Sequence, residues 1–188
     1  MEKDQILAGC RHLFEKWGVH RVTMDEVSKH LGISKKTIYK VYVNKDSVVT
    51  DFVKHLIEES RLELRRKMDD GHTQIARLSI FNWFIVEQAI TLGAILFYDI
   101  RKYHPVAFSL FKSYKRELIH ILNDLLVEGQ SAGIFRNEIN TMLSAELRVN
   151  ILEWDVMEAK TNARAIASKQ KQLFDLILHG LYKTPLKA

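Results

Sequence analysis

The stretch "VTMDEVSKHLGISKKTIYKVYVNKD", residues 22–46, predicts two short helices joined by a tight turn. Thr23, followed three residues later by Glu26, has the spacing of a capping box, which marks the start of the first of these helices. Gly32 can adopt the positive φ that a sharp turn needs, and Ser34 is placed to cap the helix that follows, "KKTIYKVY". Because two short helices with a glycine turn between them have this anatomy, the stretch predicts a helix-turn-helix.

Apolar residues in this stretch recur at helical spacing and define its inner face. They can pack against a helix that precedes Gly18 and carries its own apolar side. The inner set is Val27, Leu31, Ile33 and Ile38. With this set turned inward, the outer face of the third helix carries Lys35, Lys36 and Tyr39. Long donors near a helix N-terminus are what reading base edges in the DNA major groove requires.

Two hydroxyl groups and one further lysine flank this outer face. Thr23, Thr37 and Lys45 lie where side chains and helix N-termini bind phosphates in protein–DNA complexes. The alternative is that the lysines form an ordinary solvated face, and the net charge of +5 decides little between the two. The capping box, the turn glycine and the inward spacing together favour DNA binding.

The rest of the chain predicts an all-α fold of about nine helices. Apolar residues recur every three or four positions, and only two prolines and eight glycines interrupt 188 residues. The helix expected around residues 73–92 is apolar on nearly every side, which is typical of the middle of a bundle. The later helices are predicted at about 94–103, 106–131, 141–158 and 162–182. We therefore expect a helix-turn-helix domain at 1–46 and a larger helical bundle at 47–188.

The run "ILAGCRHLFEKWGVHRVTMDEVSKHLGISKKTIYKVYVNKDSVV", residues 6–49, resembles the N-terminal domain of TetR-family transcriptional regulators. The matching features are "LF" and "G" in the first helix, threonine before the second, "GISKKTIY" across the turn and "NKD" at the start of the fourth. The resemblance implies that residues 1–46 bind DNA and that residues 47–188 bind a ligand and dimerise.

The resemblance also assigns a role to each outward residue of the motif. It implies base-edge contacts from Lys35, Lys36 and Tyr39, with Ser34 beside them, and phosphate contacts from Thr23, Thr37 and Lys45. Val41 departs from the family, which usually has tyrosine or histidine there, and Tyr42 stands where phenylalanine is common. We therefore expect about one phosphate contact fewer per subunit, with Tyr42 packed inside.

A ligand pocket in the central bundle is a further implication of the resemblance. Aromatic linings hold flat or apolar molecules, although aromatic residues at helical spacing can equally be plain core. The candidate ligand-binding residues are Trp83, Phe84, Glu87, Tyr98, Phe111 and Tyr114. Glu87 lies in an otherwise apolar helix, where a buried carboxylate needs a partner. We expect that partner to be Arg101, Lys115 or a cationic ligand.

The last two helices carry apolar stripes suited to a four-helix interface in a two-fold dimer. The stripe on the first comprises Met142, Leu143, Leu147, Ile151 and Trp154, and that on the second Ile166, Leu173, Ile177, Leu178 and Leu181. The alternative is that both stripes only close the core of one subunit.

The sequence contains no motif typical of a metal site, a catalytic site or a cofactor-binding site. No histidine pairs with another histidine or with the single cysteine at metal-ligand spacing, and no catalytic or cofactor motif is present. We therefore expect no metal, no cofactor and no enzymatic activity. A single cysteine, a charged N-terminus and the lack of an uninterrupted apolar run near 18 residues predict a cytoplasmic protein that does not cross a membrane.

Three hypotheses follow from the sequence. The first is a dimeric repressor that a small molecule releases from a palindromic operator in double-stranded DNA. The second keeps the DNA reader but replaces the small molecule with a protein partner. The third is a small helical enzyme or carrier.

Overall fold

The structure is a computed structural model that describes residues 3–158 and 163–182. These residues form nine α-helices, which confirms the predicted all-α fold, and each predicted helix is present with ends within a few residues of those expected. The helices are α1 (Lys3–Trp17), α2 (Met24–Leu31), α3 (Lys35–Tyr39), α4 (Lys45–Asp69), α5 (Gln74–Leu92), α6 (Ala94–Tyr103), α7 (Pro105–Ser131), α8 (Thr141–Glu158) and α9 (Ala163–Leu181).

Local hydrogen bonds fix the ends of α2 and the start of α3. The Thr23 hydroxyl accepts from the backbone N–H of Glu26 at 3.2 Å, and the Glu26 carboxylate accepts from the backbone N–H of Thr23 at 2.7 Å. Gly32 ends α2 with φ of 65°. Ser34 Oγ accepts from the backbone N–H of Thr37 at 3.1 Å and caps α3. The predicted capping box, turn glycine and serine cap are all confirmed.

Helix α3 is shorter than the predicted "KKTIYKVY", because it ends at Tyr39. The backbone N–H groups of Val41 and Tyr42 both donate to the carbonyl oxygen of Ile38, each at 3.0 Å. The Ile38 carbonyl oxygen therefore accepts an i to i−3 bond from Val41 beside the i to i−4 bond from Tyr42, as is common in the last turn of a helix.

The described chain divides into two compact units. Met1–Ser60 with Leu92–Ser113 forms the first unit, and Arg61–Thr91 with Tyr114–Ala188 forms the second. Helices α4 and α7 each contribute residues to both. This division by compactness differs from the functional boundary expected at residue 46, which stays a prediction.

The core of the first unit joins α1 to the helix-turn-helix and to the start of α4. Phe14 and Phe52 meet edge to face with ring centroids 5.3 Å apart. The leucine side chain of Leu31 lies so close to Gly9 that a Cβ there would approach Leu31 Cδ2 to 2.3 Å. The fully buried side chains of this core include Ile6, Cys10, Phe14, Val27, Ile38 and Val49.

The second unit has its own apolar core, built from the end of α4, α5, most of α7, α8 and α9. Its buried members include Leu64, Phe81, Phe84, Leu125, Phe135, Val149, Leu152 and Phe174. The connection between α7 and α8 packs into this core through Phe135, which lies against Gly129. The backbone N–H of Arg136 donates to the carbonyl oxygen of Leu181 at 2.9 Å, so the connection is fastened to the end of α9.

Helix α5 is long and apolar enough, by length and composition alone, to cross a membrane, with a mean hydropathy of 1.2. A core helix of a globular domain passes the same test, and Phe81, Phe84 and Ile85 are buried in the second unit. The helix is not buried all round, however, because Trp83 and Glu87 are exposed. The predicted position in the middle of a bundle therefore holds for the buried face of α5 and not for the face that carries these two residues.

Candidate DNA-binding surface

Helix α3 has one fully buried side chain, one half-buried side chain at Thr37 and three exposed side chains. Ile38 is buried in the core of the first unit. Lys35, Lys36 and Tyr39 are exposed, and Tyr39 leaves 45% of its surface in contact with solvent. The burial pattern therefore agrees with the inner and outer faces read from the sequence, while the DNA contacts of the three outer side chains stay a prediction.

The two outer lysines differ in their surroundings. Lys35 Nζ lies 2.8 Å from Asp25 Oδ2, and this hydrogen bond raises the pKa of the Lys35 ammonium. Lys36 forms no ion pair with a residue in the described part of the chain. An exposed ion pair is weak and readily exchanged, so Lys35 can leave Asp25 for a DNA acceptor, whereas Lys36 is already available.

The hydroxyl groups predicted to flank α3 are engaged in capping. Ser34 Oγ and Thr37 Oγ1 lie 2.9 Å apart in a mutual hydrogen bond. Thr23 Oγ1 lies 2.9 Å from Glu26 Oε2 in addition to accepting from the Glu26 backbone. These groups therefore position the helix ends. The phosphate contacts of Thr23 and Thr37, and the place of Ser34 beside the base-edge contacts, stay predictions.

Lys45 makes a contact with the loop between α1 and α2 that the sequence did not predict. Its ammonium donates to the carbonyl oxygen of Val19 at 2.6 Å and lies 3.4 Å from that of His20, in the loop between α1 and α2. Burial lowers the pKa of the Lys45 ammonium, and nearby carboxylates, first of all Asp99, oppose that change. The predicted phosphate contact therefore requires Lys45 to share its ammonium with the loop or to leave it.

Tyr42 and Val41 follow α3 and lie nearer the core. Tyr42 is buried, as expected, and burial raises the pKa of its phenol to about 12. The Tyr42 hydroxyl has no hydrogen-bond partner within residues 3–158 and 163–182. Val41 is half-buried, so an aliphatic side chain suits the position.

The candidate ligand-binding residues are divided between the two units. Phe84 and Tyr114 are buried in the second unit, where Trp83 is 39% exposed. Tyr98 and Phe111 belong to the first unit, where the Tyr98 hydroxyl accepts from Lys102 at 3.1 Å. Neither unit by itself brings the predicted aromatic set together.

Glu87 is not the buried carboxylate that the sequence suggested. Its side chain is 59% exposed, and its Oε2 lies 3.0 Å from Lys67 Nζ. The expected partners are engaged elsewhere: Lys115 pairs with Glu153, and the Arg101 guanidinium lies 5.9 Å from the Phe108 ring. The prediction was wrong because α5 turns this position to solvent.

The predicted dimer stripes are partly core and partly surface. Leu143, Leu147 and Trp154 on α8 are exposed, as a contact surface requires. Ile166 and Leu181 on α9 are buried within the second unit, which corrects their assignment to an intersubunit stripe. The exposed apolar residue on α9 is instead Leu176, which the sequence pattern did not single out.

Sequence reasoning also missed a buried polar pair in the second unit. Arg148 Nε donates to Asn82 Oδ1 at 2.8 Å, and both side chains line a cavity of about 20 Å³. The signal was present in "SAELRVNIL", because Arg148 follows Ala145 by three positions and precedes Leu152 by four. An arginine in the middle of a buried apolar stripe needs a reason to be there.

Comparison with known proteins adds a family and a fold. The sequence model described as "Bacterial regulatory proteins, tetR family" matches residues 6–51. No curated protein sequence matches the chain significantly. Among solved structures, a TetR-family transcriptional regulator from Pectobacterium atrosepticum is similar, with 16% identity, a TM-score of 0.75, and coverage of 98% of this chain and 95% of that one.

Two further similar structures contain bound small molecules. A putative transcriptional regulator from Saccharomonospora viridis in complex with choline has 14% identity, a TM-score of 0.82, and coverage of 97% of this chain and 98% of that one. The regulator FadR from Bacillus subtilis in complex with stearoyl-CoA has 14% identity, a TM-score of 0.75, and coverage of 96% and 100%. At these identities the likeness concerns the fold.

The helix-turn-helix with its capped ends, the nine described helices and the matched N-terminal model lead to one conclusion. The family acts by binding DNA and has no catalytic function. Residues 6–51 of this chain form the DNA-binding domain of a TetR-family transcriptional regulator, and the chain as a whole has the fold of such regulators.

Proposed function

We propose that this regulator is a dimeric repressor of the cytoplasm that leaves a palindromic operator when a small-molecule effector binds. The observation that carries the proposal is the outer face of α3, where Lys35, Lys36 and Tyr39 are exposed while Ile38 anchors the helix. A single face of this size touches few base pairs. Tight specificity therefore calls for two copies that read two half-sites, about 34–36 Å apart or a multiple of that distance.

The exposed apolar residues of α8 support the dimer. Leu143, Leu147 and Trp154 are each more than half exposed and are spaced by four and seven residues, so they share one face of the helix. Leu176 on α9 is 70% exposed. Apolar side chains grouped in this way mark protein contact surfaces, and a two-fold dimer buries the same surface from each copy.

Release by an effector needs no chemistry. A molecule that binds one conformation of the dimer better than another shifts the population toward it, by no more than its difference in affinity for the two. The complexes of similar folds with choline and with stearoyl-CoA support a small-molecule effector for this chain.

One observation favours the second hypothesis, a regulator controlled by a protein partner. The cavity in the second unit has a volume of about 20 Å³, which is room for about one water molecule. This cavity by itself leaves no space for an effector unless its walls move apart. Thermal denaturation against a broad set of small molecules separates the two hypotheses, because the repressor requires at least one molecule that raises the midpoint and weakens DNA binding.

Selection from random DNA duplexes at moderate salt tests the first hypothesis. We expect enrichment of a palindrome, bound by two copies in analytical ultracentrifugation. Leu147→Glu with Trp154→Glu places charge in the proposed contact surface and should give a folded monomer with weakened operator binding. Glu146→Gln changes an exposed residue of α8 that is not part of this apolar set, so it is the matched control and should remain dimeric. Failure to enrich any two-fold site would contradict the proposal.

A further inference from the structure

The second unit buries a cation whose outer nitrogens have no acceptor. Arg148 leaves only 4% of its surface exposed. Its Nε donates to Asn82, but Nη1 and Nη2 have no hydrogen-bond partner within the described residues. An unsatisfied buried donor is unfavourable, and more so when it is charged. Arg148 therefore calls for an acceptor that the described part of the chain does not provide.

Asp155 is the carboxylate whose charge acts on Arg148, but both of its oxygens already interact with other residues. It pairs through Oδ1 with Lys169 and accepts through Oδ2 from Gln170 Nε2 at 2.6 Å. Burial lowers the pKa of the Arg148 guanidinium to about 10, and Asp155 opposes that change. Arg148 therefore remains charged at neutral pH although it donates no hydrogen bond to Asp155.

The cavity beside Arg148 combines unsatisfied donors with apolar walls. Asn82, 2% exposed, also lines it, and Asn82 Nδ2 likewise has no partner among the residues described. The Ser144 hydroxyl donates elsewhere, to the carbonyl oxygen of Asn140 at 2.8 Å. The remaining lining is apolar and includes Phe81 and Phe174.

We propose that Arg148 and Asn82 bind the carboxylate of an effector whose body is apolar. This inference rests on the proposed function, since it names the chemical class of the small molecule. A guanidinium offers two parallel N–H groups to a carboxylate, and Asn82 Nδ2 adds a third donor from the same wall. The aliphatic and aromatic walls receive the body of the molecule.

The small size of the cavity means that binding of this effector requires a change in conformation. About 20 Å³ accommodates a group the size of one water molecule, so an apolar body enters only when walls such as Phe81 and Phe174 move apart. The effector therefore binds a rearranged second unit better than the closed one. This difference in affinity is what a shift between two conformations requires.

Thermal denaturation of the full chain tests the site with sodium octanoate as the probe, in a buffer free of other carboxylates and at fixed chloride. We expect the midpoint to rise by about 5 °C at a hundred times the dissociation constant. Octanamide, uncharged and of the same length, should give no comparable rise. Equal responses to octanoate and octanamide, or no response to either, overturn the proposal. So does an equal response to added sodium chloride, which identifies a simple anion site.

The double variant Asn82→Leu with Arg148→Met separates ligand binding from folding. Apolar replacement of both partners removes the unsatisfied donors, so the ligand-free variant should melt at or above the wild-type midpoint while losing its response to octanoate. Arg77→Met, an exposed arginine of the same unit paired with Glu128, is the matched control and should keep the response. A response that survives in the double variant overturns the proposal.

A second variant covers the case in which the double variant does not fold. Arg148→Lys keeps the charge but loses the fork of parallel donors, and we expect about tenfold weaker octanoate binding. Unchanged affinity in this variant overturns the proposal.

Operator binding is measured in a separate experiment. The repressor hypothesis and the carboxylate-site hypothesis can then be refuted independently of each other. Octanoate should weaken binding of the wild-type protein to the selected palindrome and should not affect the double variant. A protein that binds a palindrome but shows no octanoate response refutes the carboxylate site and leaves the repressor. A protein that responds to octanoate through Arg148 but binds no palindrome refutes the repressor and leaves the site.

Discussion

The two compact units use positive charge in opposite ways. The first displays Lys35 and Lys36 on the outside of α3, where water screens them and a polyanion can reach them. The second encloses Arg148 among apolar side chains and leaves two of its nitrogens without acceptors. An exposed cation costs little free energy and can bind a large polyanion. A buried cation is unfavourable until a small anion binds beside it.

The largest effect on the exposed lysines of α3 is expected from the loss of Ile38, the buried side chain that holds this helix in the first unit. Ile38→Ala deletes a fully buried side chain beneath α3 and should lower the free energy of unfolding of this unit by about 2–5 kcal/mol. Chemical denaturation followed by circular dichroism measures the loss. Val43→Ala, at a position 89% exposed, is the control and should change stability by less than about 0.5 kcal/mol. Similar losses in both variants would contradict the anchoring role.

A smaller change removes a displayed cation without disturbing the fold. Lys36→Ala should weaken binding to the selected operator by about 1–3 kcal/mol, because Lys36 is exposed and forms no ion pair in the described structure. Gel shifts against the operator and its single-base variants measure affinity and specificity together. Lys54→Ala, which removes an exposed lysine from α4, is the control. Equal losses for the two variants would indicate that only overall charge matters.

Alkaline pH should destabilise the first unit through the buried, neutral phenol of Tyr42. The folded-state pKa of Tyr42 is raised to about 12 from an ordinary value of 10.0. The unfolded chain therefore ionises first, and the contribution of the neutral phenol to stability falls as pH rises from 10 toward 12. Tyr42→Phe should be as stable as the wild type at neutral pH and lose less stability in this window. Urea midpoints at pH 7 and pH 11 measure the difference, and an identical alkaline loss in the variant would refute it.

The smallest effect is expected from an exposed charge of the second unit. Glu87→Gln removes the partner of Lys67 on the surface, and we expect the free energy of unfolding to change by less than about 0.5 kcal/mol. The octanoate response should also persist. Denaturation and thermal shift check both, and loss of the response would return Glu87 to the effector site.

The features that sequence predicted well are those decided by neighbours in the chain. The capping box at Thr23, the turn at Gly32 and the cap at Ser34 each depend on residues no more than a few positions apart, and all three are present as predicted. The same locality explains the agreement of helix ends along the whole described chain.

The contacts that the sequence did not predict join residues that are distant in the chain. Lys45 bonds to carbonyl oxygens 25 and 26 residues away, and Arg148 bonds to Asn82 66 residues away. Helical periodicity told which positions of α5 are apolar but not which face the rest of the unit covers, so Glu87 was placed inside. No pairing rule within one helix could have placed these three side chains.

Packing of Phe135 against Gly129 sets different tolerances for two glycines of the second unit. A Cβ at position 129 would lie 2.1 Å from the Phe135 ring, whereas one at position 180 would meet no atom within 4 Å. In a saturation library selected for repression, codon 129 should therefore return glycine almost alone, while codon 180 should accept many residues. Relatives of this protein should show the same pattern, with Gly129 conserved and Gly180 replaced by other residues.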